Sequence, residues 1–295
     1  MTTQDELRLL QRIAQGIEGL GPKPEPKIDI KSANAYIWDA EHKDLIPIQE
    51  THYIDLKLLK GLDDVCDTLL ANTLQFAKGY SANNALLWGA RGMGKSSLVK
   101  SIHAQINSEI TGNPLNKLVL IEIHREDIKT MPQLLHALRG WVIRRFILFC
   151  DDLSFDDNDH TYKSLKTVLE GGIEGRPDHI LFYATSNRRH LMPREMIENE
   201  HRSLSGSGAI HPDETAEEKI SLSDRFGLWL GFHACSQETY LSIVEGYAKH
   251  YQLELSPTDL QQQALLWSTT RGSRSGRVAW QFIQDLAGRM GKRIR

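Results

Sequence analysis

The sequence is poor in cysteine, with three in 295 residues: Cys66, Cys150 and Cys235. An odd number of widely spaced cysteines provides no disulfide framework and no zinc-ligand spacing, and it suits a reducing compartment. No apolar run approaches the roughly 18 residues that a membrane helix needs. The first residues have neither the basic segment nor the apolar core of a signal peptide. These absences predict a cytoplasmic protein that contacts no membrane.

The chain also lacks an excess of positive charge. Its 35 Lys and Arg residues and 38 Asp and Glu residues give a formal net charge of −3. No overall basic field therefore attracts nucleic acid or an anionic membrane. The sequence contains no internal repeat. Its length allows a full hydrophobic core and suggests about two domains.

The strongest signal in the chain is a glycine-rich segment, Gly89-Ala90-Arg91-Gly92-Met93-Gly94-Lys95-Ser96-Ser97, which matches G-x-x-x-x-G-K-[ST]. Apolar residues 85–88 before it predict a buried strand, and residues 98–103 after it predict a helix. This order directs backbone N–H groups and the positive end of the helix dipole onto a polyphosphate. The nine residues are therefore predicted to bind a nucleoside triphosphate, with Lys95 on the β- and γ-phosphates and Ser96 on Mg²⁺.

A second motif is the apolar run 146–150, which ends in Asp151 and Asp152. Beside a phosphate-binding loop, Asp151 is predicted to hold the hydration shell of Mg²⁺, which prefers oxygen ligands. Asp152 would orient or deprotonate the attacking water. The alternative, a strand that ends in a solvated acidic turn, is disfavoured by the upstream loop. A further apolar strand, 180–187, has a polar tip in which Thr185 or Asn187 could polarise that water.

The remaining pattern predicts an α/β unit followed by helices. Apolar strands alternate with amphipathic helices, which indicates a parallel sheet covered on both faces. The predicted strands are 85–88, 118–123, 146–150, 180–185 and 228–232, and the helices between them lie near 95–108, 131–140, 161–172 and 190–200. Beyond Ala234 the pattern is purely helical, at 238–251, 259–268 and 276–290. The polar stretch 203–218 is predicted to be a loop.

The N-terminal part is less regular. Residues 5–20 have the spacing of a weak amphipathic helix, and an unstructured tail is an equally good interpretation of the first 20 residues. The three prolines of 22–26 are predicted to form an extended linker. Residues 36–54 suit a small hairpin or an irregular arm, and 56–78 suit a helix broken near Gly61. The predicted domains are 1–50, an N-terminal helix and arm; 51–235, the α/β unit; and 236–295, a helical lid.

Together these segments resemble an AAA+ ATPase and, more narrowly, a bacterial family of predicted AAA+ ATPases of unknown function. The resemblance rests on LWGARGMGKSSLVK, YATSNRRHL, LSDRFGLWLGF and RSGRVAWQF, and it covers roughly residues 50–290. It implies a P-loop α/β fold with a parallel sheet and a small C-terminal all-α lid. It also implies a homo-oligomer that uses ATP and Mg²⁺.

The resemblance assigns further roles by position. Asn187 matches the sensor-1 residue, and Arg225 matches the arginine finger, which reaches the γ-phosphate held by a neighbouring subunit. Arg277 matches the sensor-2 arginine of the lid, with Arg274 as the alternative. Many AAA+ proteins have Asp-Glu where this chain has Asp-Asp, and the shorter side chain of Asp152 suggests slow turnover. From the residues alone, Arg225 could instead be an ion-pairing arginine at a helix end.

Three functions follow as hypotheses. The first is Mg²⁺-dependent ATP hydrolysis in an oligomeric active site. The second is a nucleic-acid-linked loader or switch, suggested by Asp-Asp and by a set of arginines for which ion pairing is the alternative: Arg139, Arg144, Arg145, Arg188 and Arg189, with His190. The third is an interaction module with little turnover, whose N-terminal arm recruits a protein partner that the sequence does not identify. Trp88 is predicted to be strand core, not an adenine-stacking residue, and Cys150 to be buried and inert.

Overall fold

Seven strands form one sheet in the computed structural model, which describes residues 28–155, 161–170, 175, 177–188, 191, 222 and 225–294. The strands are β1 (Ala35–Asp39), β2 (Asp44–Pro47), β3 (Ala85–Gly89), β4 (Val119–Glu122), β5 (Phe146–Cys150), β6 (Ile180–Ser186) and β7 (Leu228–Phe232). Their order is β2-β1-β4-β5-β6-β3-β7, and every pair of neighbours is parallel except β1 and β2. The predicted helix at 5–20 and the predicted loop at 203–218 lie outside the described residues, as does the predicted helix at 190–200 except for Leu191.

Helices follow most of the parallel strands. The described helices are α1 (Asp63–Ala77), α2 (Lys95–Glu109), α3 (Met131–Leu138), α4 (Thr161–Glu170), α5 (Gln237–His250), α6 (Pro257–Thr270) and α7 (Gly276–Arg289). Short 3₁₀ turns occupy Leu56–Leu58, Pro114–Asn116 and Arg125–Thr130. The break predicted near Gly61 is confirmed, because this glycine has a φ of +72° between the first 3₁₀ turn and α1. None of the helices in the described ranges is long and apolar enough to cross a membrane.

The sheet is covered on both faces, as the apolar strands predict. Successive residues of β5 point to opposite faces, so Phe146 and Leu148 belong to one hydrophobic cluster and Ile147 and Phe149 to the other. Every residue of β5 and β6 is buried. This arrangement confirms the predicted α/β class and brings the polar residues that follow β5 and β6 to one edge of the sheet.

The hairpin of β1 and β2 extends this sheet. The hairpin is one of the two alternatives predicted for residues 36–54, and β1 pairs in parallel with β4, where Tyr36 lies opposite Ile121. Ile28 and Ile30 are buried in the same cluster as β5. The boundary predicted after residue 50 therefore does not separate the hairpin from the α/β unit.

The C-terminal helices form a separate small bundle, which we call the lid. A third cluster of buried residues from α5, α6 and α7 makes its core. Each helix begins at a serine, Ser236, Ser256 or Ser275, whose hydroxyl accepts a hydrogen bond from a backbone N–H in the first turn. The lid also buries Leu58 of the first 3₁₀ turn, so the segment before α1 lies against it.

Candidate functional site

The glycine-rich segment forms the turn between β3 and α2, as predicted. Gly92 and Gly94 have φ angles of +72° and +88°, which residues with a side chain rarely adopt. The ammonium group of Lys95 donates hydrogen bonds of 2.9 Å to the carbonyl oxygens of Gly89 and Ala90. The turn therefore surrounds the ammonium group of Lys95, which is the first residue of α2.

Lys95 is also tied to the neighbouring strand. Its ammonium group donates to Oδ1 of Asn187, which follows β6, over 3.0 Å. The side chain is buried, and this burial lowers the pKa of Lys95, while the nearby carboxylates of Asp151 and Asp152 act in the opposite direction. The lysine thus joins the glycine-rich turn to the ends of β5 and β6.

Two hydroxyl groups converge on Asp151. Ser96 donates to its Oδ1 over 2.5 Å, and Thr185 donates to the same oxygen. Mg²⁺ in nucleotide sites takes one or two protein oxygens and completes its shell with water and phosphate oxygens. The hydroxyl of Ser96 and the carboxylate of Asp151 fit such an ion. The described residues contain no cluster of three or more His, Cys, Asp or Glu that could hold a metal without such help.

Asp152 lies beside the polar tip of β6. Its carboxylate accepts a hydrogen bond from Nδ2 of Asn187, and its backbone N–H donates to Oγ1 of Thr185 over 2.9 Å. Its φ of +52° is unusual for a residue with a side chain. Asn187 therefore contacts both Lys95 and Asp152, so the structure brings the residues of the three predicted motifs together.

The lid contacts the glycine-rich turn directly. The backbone N–H of Arg277, in the first turn of α7, donates to the carbonyl oxygen of Gly92 over 3.1 Å. A Cβ atom at Gly92 would lie 3.0 Å from Oγ of Ser275. Arg277 lines the cavity between lid and turn, and Arg274 is not among the described residues that line it. This position favours Arg277 over Arg274 for the predicted sensor-2 role.

The cavity has a volume of about 660 Å³, and its lining residues include a polar group and an apolar group. We call the polar group the phosphate end; it comprises residues 91–97, Asp151, Asp152, Thr185 and Asn187. We call the apolar group the base end; it comprises Ile54, Leu59, Tyr247 and Trp280. Trp88 is not among the described lining residues. It packs against His233 and Gly231 instead, which agrees with its prediction as strand core.

Arg225 lies apart from this cavity within the chain. Its guanidinium group forms an ion pair with Glu170, the last residue of α4, and Nε donates to Oε1 over 2.7 Å. A single chain therefore does not bring Arg225 to Lys95 or Asp152. Of the predicted arginine-finger motif, Ser221, Ser223 and Asp224 lie outside the described residues.

The arginines that suggested a nucleic-acid surface are largely engaged elsewhere. Arg144 is only 2% exposed, and its guanidinium donates to the carbonyl oxygen of Ile30 and to Oδ1 of Asn34. Arg145 lies over the ring of Phe76, 5.2 Å from its centre. Both precede β5 and so lie at the edge of the sheet opposite the cavity. The burial of Arg144 contradicts its interpretation as a charge facing a nucleic-acid backbone, while for half-buried Arg145 that interpretation stays a hypothesis. Arg189 and His190 are outside the described residues.

Residues 31–290 match the family described as "Protein of unknown function (DUF815)". The chain belongs to this family. The match confirms the resemblance to a bacterial family of unknown function. No curated protein matches the sequence.

Solved structures share the fold of this DUF815 protein. A point mutant of RuvB from Thermotoga maritima matches with a TM-score of 0.51 and 16% identity, over 82% of this chain and 70% of that one. ORC2 from Aeropyrum pernix, in ADPNP–ADP complexes, matches with a TM-score of 0.51 and 14% identity, over 81% and 68%. ORC1 from the same organism, in complex with DNA, matches with 0.52 and 12%, over 84% and 68%. These proteins are AAA+ P-loop ATPases, so the likeness confirms the predicted fold class.

The sequence did not identify the residues of the base end. Ile54 and Leu59 come from the irregular segment before α1, and Tyr247 from the buried side of α5. One signal was available for Trp280, which lies three residues after Arg277 in α7 and therefore on the same side of that helix. The others come together only through packing of the lid against the α/β unit.

Proposed function

We propose that this DUF815 protein is a Mg²⁺-dependent ATPase. One observation carries the proposal: Asn187 joins Lys95 of the phosphate-binding turn to Asp152 at the end of β5, in a cavity that the lid borders. Such a cavity, with a few convergent polar groups at one end and apolar walls at the other, is typical of a nucleotide site. The nucleotide would lie along the cavity from Lys95 to Trp280.

The phosphate end would bind the triphosphate. The backbone N–H groups of the turn and the N-terminus of α2 favour anionic oxygens, and Lys95 would exchange its contacts with Gly89 and Ala90 for the β- and γ-phosphates. Ser96 and Asp151 would hold Mg²⁺, which when bound neutralises charge that develops on the phosphate oxygens. Arg277 would add positive charge from the lid.

Asp152 would act on the attacking water. Its carboxylate can accept a hydrogen bond from that water and orient it, or take its proton as the oxygen attacks phosphorus. Asn187 holds this carboxylate through Nδ2, so its amide would keep Asp152 aimed at the γ-phosphate. The ADPNP–ADP complexes named for ORC2 show that this fold accommodates adenine nucleotides in that protein.

We further propose that the active site is completed by a second copy of the chain. Arg225 pairs with Glu170 on its own chain, so it can serve the cavity only from a neighbouring subunit. Because the ion pair is partly exposed, solvent weakens it, and exchange of partners costs little. This proposal requires the protein to form a homo-oligomer. The cytoplasmic location of the protein and its binding of another protein stay predictions. No described contact favours a nucleic-acid-linked role.

The test is phosphate release from Mg-ATP across a series of protein concentrations. We expect wild-type specific activity to rise with concentration as subunits assemble. The specific activity of Arg225→Ala should stay low at every concentration. At the highest concentration it should be about 10³-fold below that of wild type, since an arginine finger contributes about that much or more. Arg289→Ala is the matched control, because Arg289 forms an exposed ion pair with Asp285 on the lid. ATP binding with no phosphate release at any concentration would instead support the interaction module.

A further inference from the structure

Thr185 contacts the turn that carries both aspartates at three successive residues. The parallel register places Cys150 opposite Ala184, so Thr185 on β6 lies beside the turn that follows β5. Its carbonyl oxygen accepts from the N–H of Leu153 over 2.7 Å, and its hydroxyl contacts Asp151 and Asp152. A single strand residue thus fixes residues 151–153.

The directions of the two hydroxyl hydrogen bonds follow from the groups involved. The N–H of Asp152 can only donate, so Oγ1 of Thr185 accepts from it. An ionised carboxylate can only accept, so the single hydroxyl proton of Thr185 goes to Asp151. This proton is therefore not free to bind the attacking water. The sequence suggested that Thr185 could polarise the attacking water, and the structure gives its hydroxyl a different use.

The contact with Asp152 coincides with an unusual backbone conformation. Asp152 is one of three described residues other than glycine with positive φ, the others being Lys43 and Gln252. Such a conformation is held only where the surroundings determine it. The bond from its N–H to Thr185 does this, and it turns the carboxylate of Asp152 towards Nδ2 of Asn187.

We propose that Thr185 is the positioning residue of this site, through which one buried hydroxyl sets both the metal-binding and the water-orienting aspartate. The proposal rests on the proposed ATPase function. Thr185 is only 2% exposed, and its hydroxyl is bonded to both Asp151 and Asp152, so it acts through these two residues. Its hydroxyl keeps the carboxylate of Asp151 directed towards Ser96, and its acceptor holds the backbone of Asp152.

The test replaces Thr185 by Val, which has nearly the same shape but no hydroxyl, and by Ser, which keeps the hydroxyl. Thr185→Val should raise the Mg²⁺ concentration for half-maximal binding of a fluorescent ATP analogue by about 10–100-fold, as expected when a residue that orients a metal ligand is lost. Its kcat should fall by about 10²-fold with little change in KM, since misplacement by about 1 Å has such an effect. Thr185→Ser should stay close to wild type.

A second readout needs neither nucleotide nor metal. In the free protein, hydrogen–deuterium exchange across residues 151–153 should be faster in Thr185→Val, because the N–H of Asp152 loses its acceptor, and unchanged in Thr185→Ser. Thr73→Val is the control, since it removes another buried threonine hydroxyl, bonded to the phenol of Tyr183 and away from the cavity. If Thr185→Val does not fold, Thr185→Ala takes its place as the variant without a hydroxyl and is compared with Thr185→Ser.

The outcomes separate this inference from the proposed function. If wild type shows no phosphate release, the ATPase proposal fails, while the exchange rates still decide whether Thr185 sets the turn. If the variant without the hydroxyl matches wild type in Mg²⁺ midpoint, kcat and exchange, the positioning role is overturned. In an Asp151→Asn background the same substitution should shift the Mg²⁺ midpoint much less, and an undiminished shift would also overturn it.

Discussion

The phosphate end and the base end of the cavity are built in different ways. At the phosphate end, polar side chains from α2, β5 and β6 are held by one another: Lys95 by Asn187, Asn187 by Asp152, and Asp151 by Ser96 and Thr185. At the base end, Tyr247 and Trp280 come from the lid and pack on each other, with ring centres 5.2 Å apart. One end depends on directional hydrogen bonds and the other on apolar contact.

Under the proposed function, this difference implies a separate task for each end. Hydrogen bonds fix atoms within a narrow range of distance and angle, as chemistry at a phosphate requires. Apolar and aromatic walls accept a flat base with less demand on direction. Damage at the phosphate end should therefore affect turnover, and damage at the base end should affect affinity for the base alone.

The largest effect is expected for Asp152→Asn. The amide is nearly the same size and Asn tolerates positive φ, so folding and ATP binding should be retained. Turnover should fall by about 10²–10⁴-fold, because the amide cannot take a proton from water. Single-turnover phosphate release, measured beside a binding titration, checks this. Asp285→Asn, on the lid surface, is the control, and equal losses of binding and turnover would contradict the division of tasks.

A fall in pH should destabilise α2, which carries the phosphate end, before it destabilises the lid helices, which carry part of the base end. His103 lies on the buried side of α2, where burial lowers the pKa of His103 to about 4 from 6.5. The unfolded chain protonates the His103 imidazole more readily than the folded chain does. The contribution of neutral, buried His103 to the stability of the fold is therefore complete above pH 6.5 and is lost as pH falls towards 4. The free energy of unfolding should drop by roughly 3 kcal/mol over this window.

Amide exchange in α2, followed against exchange in the lid helices from pH 7 to pH 4, measures this effect. Because intrinsic amide exchange slows as pH falls, protection factors are compared, and they should decrease first in α2. His103→Gln removes the titrating group and should flatten the dependence of stability on pH. The same slope in wild type and variant would show that His103 is not its source.

The phosphate end could be predicted from the sequence because its residues stand in short contiguous motifs. Residues 89–97 would bind phosphate through their backbone and neighbouring side chains, and Asp151 and Asn187 each follow a strand that is recognisable by its apolar run. Parallel strands then bring those ends together without further information. The structure confirms this convergence, while the catalytic roles stay predictions.

A smaller effect is expected for Trp280→Ala at the base end. Loss of base stacking should weaken ATP binding by about tenfold, and the binding of tripolyphosphate, which has no base, should not change. Trp267→Ala is the matched control, because Trp267 packs within the lid on Phe282 and is not among the described residues that line the cavity. Equal weakening of both ligands would mean that the two ends are not independent.

The smallest effect is expected at Gly92, where the lid contacts the glycine-rich turn. Alanine there must adopt a φ near +72° and places its Cβ 3.0 Å from Oγ of Ser275. Strain of this kind costs about 1–2 kcal/mol, and the lid should dock less closely, which lowers ATP affinity several-fold. Gly112→Ala is the control, since Gly112 has a φ of +94° and no neighbour within 4 Å of an added Cβ. Comparison of Tm and affinity for the two variants separates backbone strain from the lid contact.

The sequence could not supply what depends on distant packing. The base end joins Ile54 to Tyr247 and Trp280 across most of the chain, and no local pattern links them. The burial of Arg144 depends on carbonyl groups of the N-terminal segment, so its charge alone suggested a surface role. The pairing of Arg225 with Glu170 likewise joins residues whose sequence surroundings give no sign of the contact.

The most direct test of the account is calorimetric titration of Mg-ATP into wild type, Lys95→Ala and Lys249→Ala. Lys249 is an exposed lysine near the end of α5 and serves as the control. We predict that Lys95→Ala weakens ATP binding by about 10–100-fold, the value of a hydrogen bond to a charged group or slightly more, and that Lys249→Ala binds like wild type. Unchanged affinity in Lys95→Ala would contradict the claim that this cavity binds the phosphates of a nucleotide.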